Sequence, residues 1–207
     1  MVELGERPLL PPGTSPFRAK GTTYSGHLQW VNEKYPGGRE AYLKALSFDP
    51  QMAAFHSQIF LSAIWYDFMP LVCAGVTCAR AMNMDFEAFI AYRARYQAEL
   101  DLRGVYKVLL AVTPNSFLAR KLTTVLARYF DFGEPVVIEE HVGHVICEVR
   151  RVPQMFASWM RACFTGFIQA VLEQGGAKDV TVYATSSAAE EVQGYPGCTV
   201  RLDIRWK

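Results

Sequence analysis

The sequence predicts an α+β domain: an N-terminal helical layer packed on a four-stranded antiparallel sheet, with a long helix between the two strand pairs. Three observations predict it. Apolar residues recur at helical spacing through most of the first 130 positions, two β-branched runs flank Gly143, and two alternating runs follow the glycine stop at Gly175 and Gly176. Hydrophobic residues make up 51% of the chain against 20% charged, enough apolar material to offset the entropy of ordering it.

Residues 1–17 carry Pro8, Pro11, Pro12 and Pro16, which remove backbone donors and fix φ. An irregular tail is expected there, and one α+β domain over 18–207. From Thr22, the residues Leu28, Val31 and Tyr35 fall at helical spacing until Pro36, Gly37 and Gly38 stop the helix. A short helix follows from Arg39 to Leu46. The apolar stretch from Phe68 to Met82 reads as a buried helix, with Asp67 as its cap and Pro70 tolerated in its first turn. Asp85 caps the next helix, in which Phe86, Phe89, Ile90 and Tyr96 are expected to face inward and Arg93, Arg95, Gln97 and Glu99 to face water. Residues 102–112 precede another helix that opens at Pro114 and places Phe117, Leu118, Leu122, Val125, Leu126 and Tyr129 in register.

The period then changes from helix to strand. Residues 135–141 and 144–152 form a hairpin turning near Gly143, and a long helix runs from about Gln154 to the stop at Gly175 and Gly176. Two strands follow, over 179–185 and 198–206. In the second, Val200, Leu202, Ile204 and Trp206 alternate with Arg201, Asp203 and Arg205, so one face is buried.

Composition narrows the function classes. The net charge of +1 arises from 21 basic and 20 acidic residues and provides no broad field for a phosphate backbone, so no nucleic-acid partner is expected. The five cysteines lack CxxC spacing and sit in apolar surroundings, as reduced thiols do. The start of the chain lacks the basic and apolar parts of a signal peptide, and no stretch has the length of an uncharged membrane span. A cytoplasmic location without a membrane span is the expectation. No GxSxG turn surrounds Ser186 and Ser187, which read as part of a polar loop, and no GxGxxG or Walker loop occurs. Glu139 with Glu140 and Glu190 with Glu191 read as solvated faces, and no enzyme is expected.

Several short signatures carry a family resemblance: Lys20-Gly21 before the first helix, Trp65-Tyr66 before the buried one, Gly104-Val105-Tyr106-Lys107, Tyr129-Phe130-Asp131-Phe132-Gly133, and Gly175-Gly176-Ala177 ahead of the strands that end at Trp206. From Lys20 to Trp206 the chain resembles the superfamily of 4-vinyl-reductase domains, heme nitric-oxide/oxygen-binding sensor domains and TRAPP vesicle-tethering subunits, nearest to a myxobacterial protein family. The resemblance implies a helical layer over a curved four-stranded sheet, with a pocket between them for a hydrophobic or aromatic ligand, heme or an acyl chain. It transfers no catalytic residue. The Tyr-x-Ser-x-Arg motif with which the heme sensors contact the propionates is absent from this sequence.

The candidate ligand-pocket residues are Trp65, Tyr66, Phe68, Phe156, Trp159 and Phe164, on elements that face a shared interior; the same pattern also describes plain core packing. A metal alternative rests on His141 and His144 at the hairpin turn, joined by Glu139 or Glu140. His27 and His56, in apolar segments, read as core histidines. No cofactor is identified. Three functions compete: a non-catalytic sensor or regulatory domain holding an apolar small molecule between helices and sheet, an interaction or scaffold module acting as a homodimer or with a protein partner, and a heme or metal sensor.

Overall fold

The computed structural model describes residues 5–102, 117–118 and 128–207. The expected segment at 103–112, and the helix expected from Pro114 apart from Phe117, Leu118 and its last residues, lie outside the described residues. In chain order the elements are β1 (Arg18–Lys20), α1 (Gly21–Lys34), α2 (Gly38–Leu46), α3 (Pro50–Ser57), β2 (Trp65–Asp67), α4 (Met69–Ala81), α5 (Phe86–Asp101), β3 (Glu134–His141), β4 (His144–Pro153), α6 (Ala157–Gln174), β5 (Thr181–Val192) and β6 (Tyr195–Arg205). A single 3₁₀ turn, Gln154–Phe156, leads into α6.

The four long strands form one antiparallel sheet in the order β3-β4-β6-β5. Each hairpin turns on two residues. Val142 and Gly143 join His141 to its partner His144, and Gln193 and Gly194, both at positive φ, join Val192 to Tyr195. Positive φ at both central residues matches the right-handed strand twist. Along β4 and β6, Val145 pairs with Ile204, Cys147 with Leu202 and Val149 with Val200, and all six are buried. The other face carries Glu148, which accepts from Arg150 and Arg201, and Asp203, which accepts from Arg205. β5 is longer than its apolar pattern suggested. Ser186 and Ser187 lie within this strand rather than in a loop, because they pair with Val200 and Thr199 of the strongly patterned β6, while Glu190 and Glu191, at a register shift near its end, are exposed as a solvated face.

Helix α6 lies between the strand pairs in sequence and packs on β5 and β6 on one side and against α5 on the other. The stretch Gln154–Gln174 has the length and composition of a membrane span, which the sequence reading did not credit to it, and 72% of its apolar window is buried inside the fold. It is the central core helix. Gly166 makes its contact with α5 possible: a Cβ there would stand 2.1 Å from the Ala91 carbonyl oxygen.

Two features escape the sequence pattern. Asp49 accepts from the backbone N–H groups of Gln51 at 3.0 Å and Met52 at 3.3 Å, and with Pro50 in the first turn it starts the short helix α3. β1 and β2 pair antiparallel as a separate two-stranded sheet, and Ala19 bridges to Phe130. The N-cap of α4 is Phe68 rather than the expected Asp67, and Asp67, one residue earlier, braces the helix start instead. Its Oδ1 accepts from Met69 N–H at 2.9 Å, while Oδ2 accepts from Gly13 at 2.9 Å and Ser15 at 3.1 Å, so one buried carboxylate ties the tail to the start of α4. Phe17 is fully buried, edge-on to Phe132, Phe156 and Tyr195.

Candidate functional site

Four helices leave a cavity among them. α1 contributes Thr23 and His27, α4 contributes Leu71 and Gly75, and α6 contributes Trp159, Cys163 and Phe167. These are i, i+4 and i+8 positions, the repeat that keeps side chains on one face of a helix. α5 supplies the longest stripe, Phe89, Ile90, Arg93, Ala94 and Gln97, and Tyr129 with Phe130 closes one side. Among the described residues no strand residue lines it, so the cavity sits within the helical layer rather than between helices and sheet. Its volume is about 60 Å³.

The polar groups around it form a chain. Arg93, expected to face water, is only 8% exposed. Its position three and four residues after Ile90 and Phe89 puts it on the apolar stripe, and its long stem can lie along that surface. Arg93 Nη2 donates to Gln97 Oε1 at 3.2 Å, Gln97 Nε2 donates to Asp101 Oδ1 at 2.7 Å, and Tyr129 OH donates to Asp101 Oδ2 at 3.0 Å. Gly26 on α1 makes room for this carboxamide, because a Cβ there would meet Gln97 Oε1 at 1.9 Å. Burial lowers Arg93 to about 10, which leaves it a cation at neutral pH. Burial raises the Asp101 carboxyl and lifts the Cys163 thiol to about 12, so Cys163 stays protonated.

His27 belongs to a second buried chain. Its Nε2 lies 3.1 Å from Tyr42 Oη, Tyr42 Oη lies 2.8 Å from His56 Nδ1, and His56 Nε2 lies 3.2 Å from the Pro70 carbonyl oxygen. A carbonyl only accepts, so His56 Nε2 donates, Tyr42 donates to His56 Nδ1, and His27 Nε2 donates to Tyr42. Burial holds both imidazoles neutral: His56 falls to about 4, and His27 is held well below its ordinary value, first by burial and then by the Arg93 charge.

The candidate aromatic residues are not brought to one place. Trp159 lines the cavity. Phe68 and Phe156 are fully buried in a packed cluster in which Phe68 meets Trp159 at 4.8 Å, Phe156 at 4.9 Å and Phe130 at 5.1 Å between ring centroids. Phe164 is buried on α6 away from the lining. Tyr66 packs on Phe60 at 4.8 Å, its hydroxyl accepting from Leu61 N–H, and Trp65 is 42% exposed beneath the Lys20 ammonium. Sequence reasoning missed Arg93, Gln97, Thr23 and Cys163. The α5 period places Arg93 and Gln97 on the inner face, but their polarity argued for water.

At the hairpin turn, His144 Nε2 is 3.0 Å from Asp203 Oδ1, and His141 Nε2 is 3.9 Å from Glu139 Oε2. Asp203 also accepts from Arg205 at 2.8 Å. Among the described residues no three His, Cys, Asp or Glu side chains are grouped as metal ligands.

No protein-family model matches the chain, and no curated protein matches it in sequence. Solved structures do. A Cs H-NOX variant carrying 4-cyano-L-phenylalanine is similar over 91% of this chain and 96% of its own, with a TM-score of 0.66 at 11% identity. The Fe(II) unliganded H-NOX protein from K. algicida matches over 91% and 96%, with a TM-score of 0.62 at 14% identity. An oxygen-binding H-NOX domain related to soluble guanylate cyclases matches over 91% and 95%, with a TM-score of 0.65 at 10% identity. At these identities the likeness shows the fold: helices and a four-stranded antiparallel sheet arranged as in H-NOX domains.

Proposed function

We propose that the chain is a non-catalytic sensor or regulatory domain that holds a small, largely apolar molecule among α1, α4, α5 and α6. The observation that carries this reading is the cavity, walled by Leu71, Phe89, Ile90, Trp159 and Phe167, on a fold shared with H-NOX domains, one of which binds oxygen. Heme, implied by that fold, does not fit the residues present. Among the described lining residues His27 is the one imidazole, and its Nε2 already donates to Tyr42. Cys163 and Tyr129 are held protonated by burial.

Toluene is a suitable first probe, because it is apolar and of the cavity's size class. Saturable binding by calorimetry, with a rise in melting temperature, is the expected result. Ala94→Leu, which fills the cavity from α5, should abolish toluene binding while keeping the fold. Toluene binding that survives Ala94→Leu, or no binding to the wild-type protein, rejects this reading.

A second reading, self-association, rests on one observation: Ile59 (84%), Leu61 (60%), Ile64 (50%) and Trp65 (42%) are exposed on one loop and strand start. A sedimentation series over concentration that shows only monomer removes it. Helix α4, the other candidate surface, is buried from Met69 to Gly75 and at Thr77, Cys78 and Ala79.

A further inference from the structure

We infer that the ligand of this cavity is an anion, a small carboxylate whose charged head sits on Arg93 and whose apolar body lies against Phe89, Ile90, Trp159 and Phe167; this rests on the ligand reading above. Arg93 faces the cavity, is more than nine-tenths buried, and among the described residues uses one of its five N–H donors, the bond to Gln97. Its Nε is buried with no hydrogen-bond partner among the described residues. A second orphan lines the same space: Thr23 Oγ1 on α1 is buried and also unpartnered among the described residues.

The chain balances this charge only in part: Asp101 acts on Arg93 through space but makes no direct bond to it among the described residues. Among the described residues no carboxylate forms an ion pair with Arg93, and the nearest link to one runs through Gln97 to Asp101. Residues 103–127 contain no Asp or Glu at all. A buried guanidinium with no carboxylate bonded to it is unfavourable, and leaving a buried charge without a directly paired partner is what makes such sites costly. A carboxylate supplies both the charge and two acceptor oxygens, in a planar geometry that the guanidinium fork matches. The Thr23 hydroxyl then donates to the same head group. The apolar walls and the small volume limit the body to a short chain or a single ring.

Benzoate, its neutral isostere benzamide, and toluene test the idea together by calorimetry on the full chain. The expected result is benzoate binding at least about tenfold tighter than benzamide. That preference should vanish in Arg93→Met, while toluene still binds. Arg93→Lys keeps the charge but not the fork, and should retain part of the preference. If toluene binds and benzoate is no tighter than benzamide, the anion inference is wrong and the cavity reading stands. If none of the three binds, both fall. Should Arg93→Met fail to fold, the benzoate-to-benzamide ratio on the wild-type protein decides the matter by itself.

Discussion

At the scale of single residues, charge and burial conflict in two places. Arg93 shows how much of the site was legible. The spacing Phe89, Ile90, Arg93, Ala94, Gln97 states the inner face of α5 plainly, and only the side-chain chemistry argued against it. Trp159 lines the cavity, whereas Trp65, Tyr66, Phe68, Phe156 and Phe164 share its apolar character without being among the lining. Aromaticity reports burial, not which buried space is empty. The second conflict is His56, neutral in the fold with a value of about 4 against an ordinary 6.5. Because the folded value lies below the unfolded one, the unfolded chain takes up the proton first. The stability is intact above about pH 6.5 and is lost as pH falls toward 4. His56 alone contributes about 3 kcal/mol of that loss by pH 4, and His27, also depressed, adds in the same direction. Denaturant unfolding between pH 7 and 4 should show this decline, and NMR of the His56 ring should show no protonation until about pH 4; a ring that titrates near 6.5 contradicts the buried hydrogen-bond chain.

At the scale of elements, the contact between α5 and α6 sets the width of the cavity, since each helix supplies one wall. Gly166 and Ala91 meet backbone to backbone, where no flexible side chain can yield. Gly166→Ala must therefore push the helices apart. Overpacked cores lose typically about 1–3 kcal/mol, and this site belongs at the upper end, read as a fall in melting temperature; an unchanged melting temperature would show that the helices do not meet there. The long periodic elements, α5, α6 and the β3–β4 hairpin, were legible because their apolar spacing extends over many residues. α3 was not, although Asp49-Pro50 is a cap followed by a first-turn proline, because the apolar residues after it gave no clear period. β1 and β2 are three residues each, too short for alternation to register, and their pairing depends on a contact between residues about 45 positions apart.

At the scale of the whole molecule, the α+β class and the order of its parts followed from the change of period near residue 134, and the H-NOX-like arrangement agrees with them. What composition could not reveal was that the empty space lies among the helices. That depends on which stripe of α5 meets α1, α4 and α6, a property of packing angles rather than of any one segment.

The strand order also has a consequence in time. The β3–β4 and β5–β6 hairpins each close over a two-residue turn, whereas β4 reaches β6 across α6, with Cys147 opposite Leu202. Local pairs form early because little chain must be immobilised to join them, and distant pairs wait. The β4–β6 seam is therefore the late event in folding, and α6 is the element whose docking brings its two edges together. Leu202→Ala should slow refolding less than it speeds unfolding in stopped-flow measurements, whereas a variant that shortens α6 should act mainly on the refolding limb. The opposite partition for Leu202→Ala would mean that the sheet closes first and the helix follows.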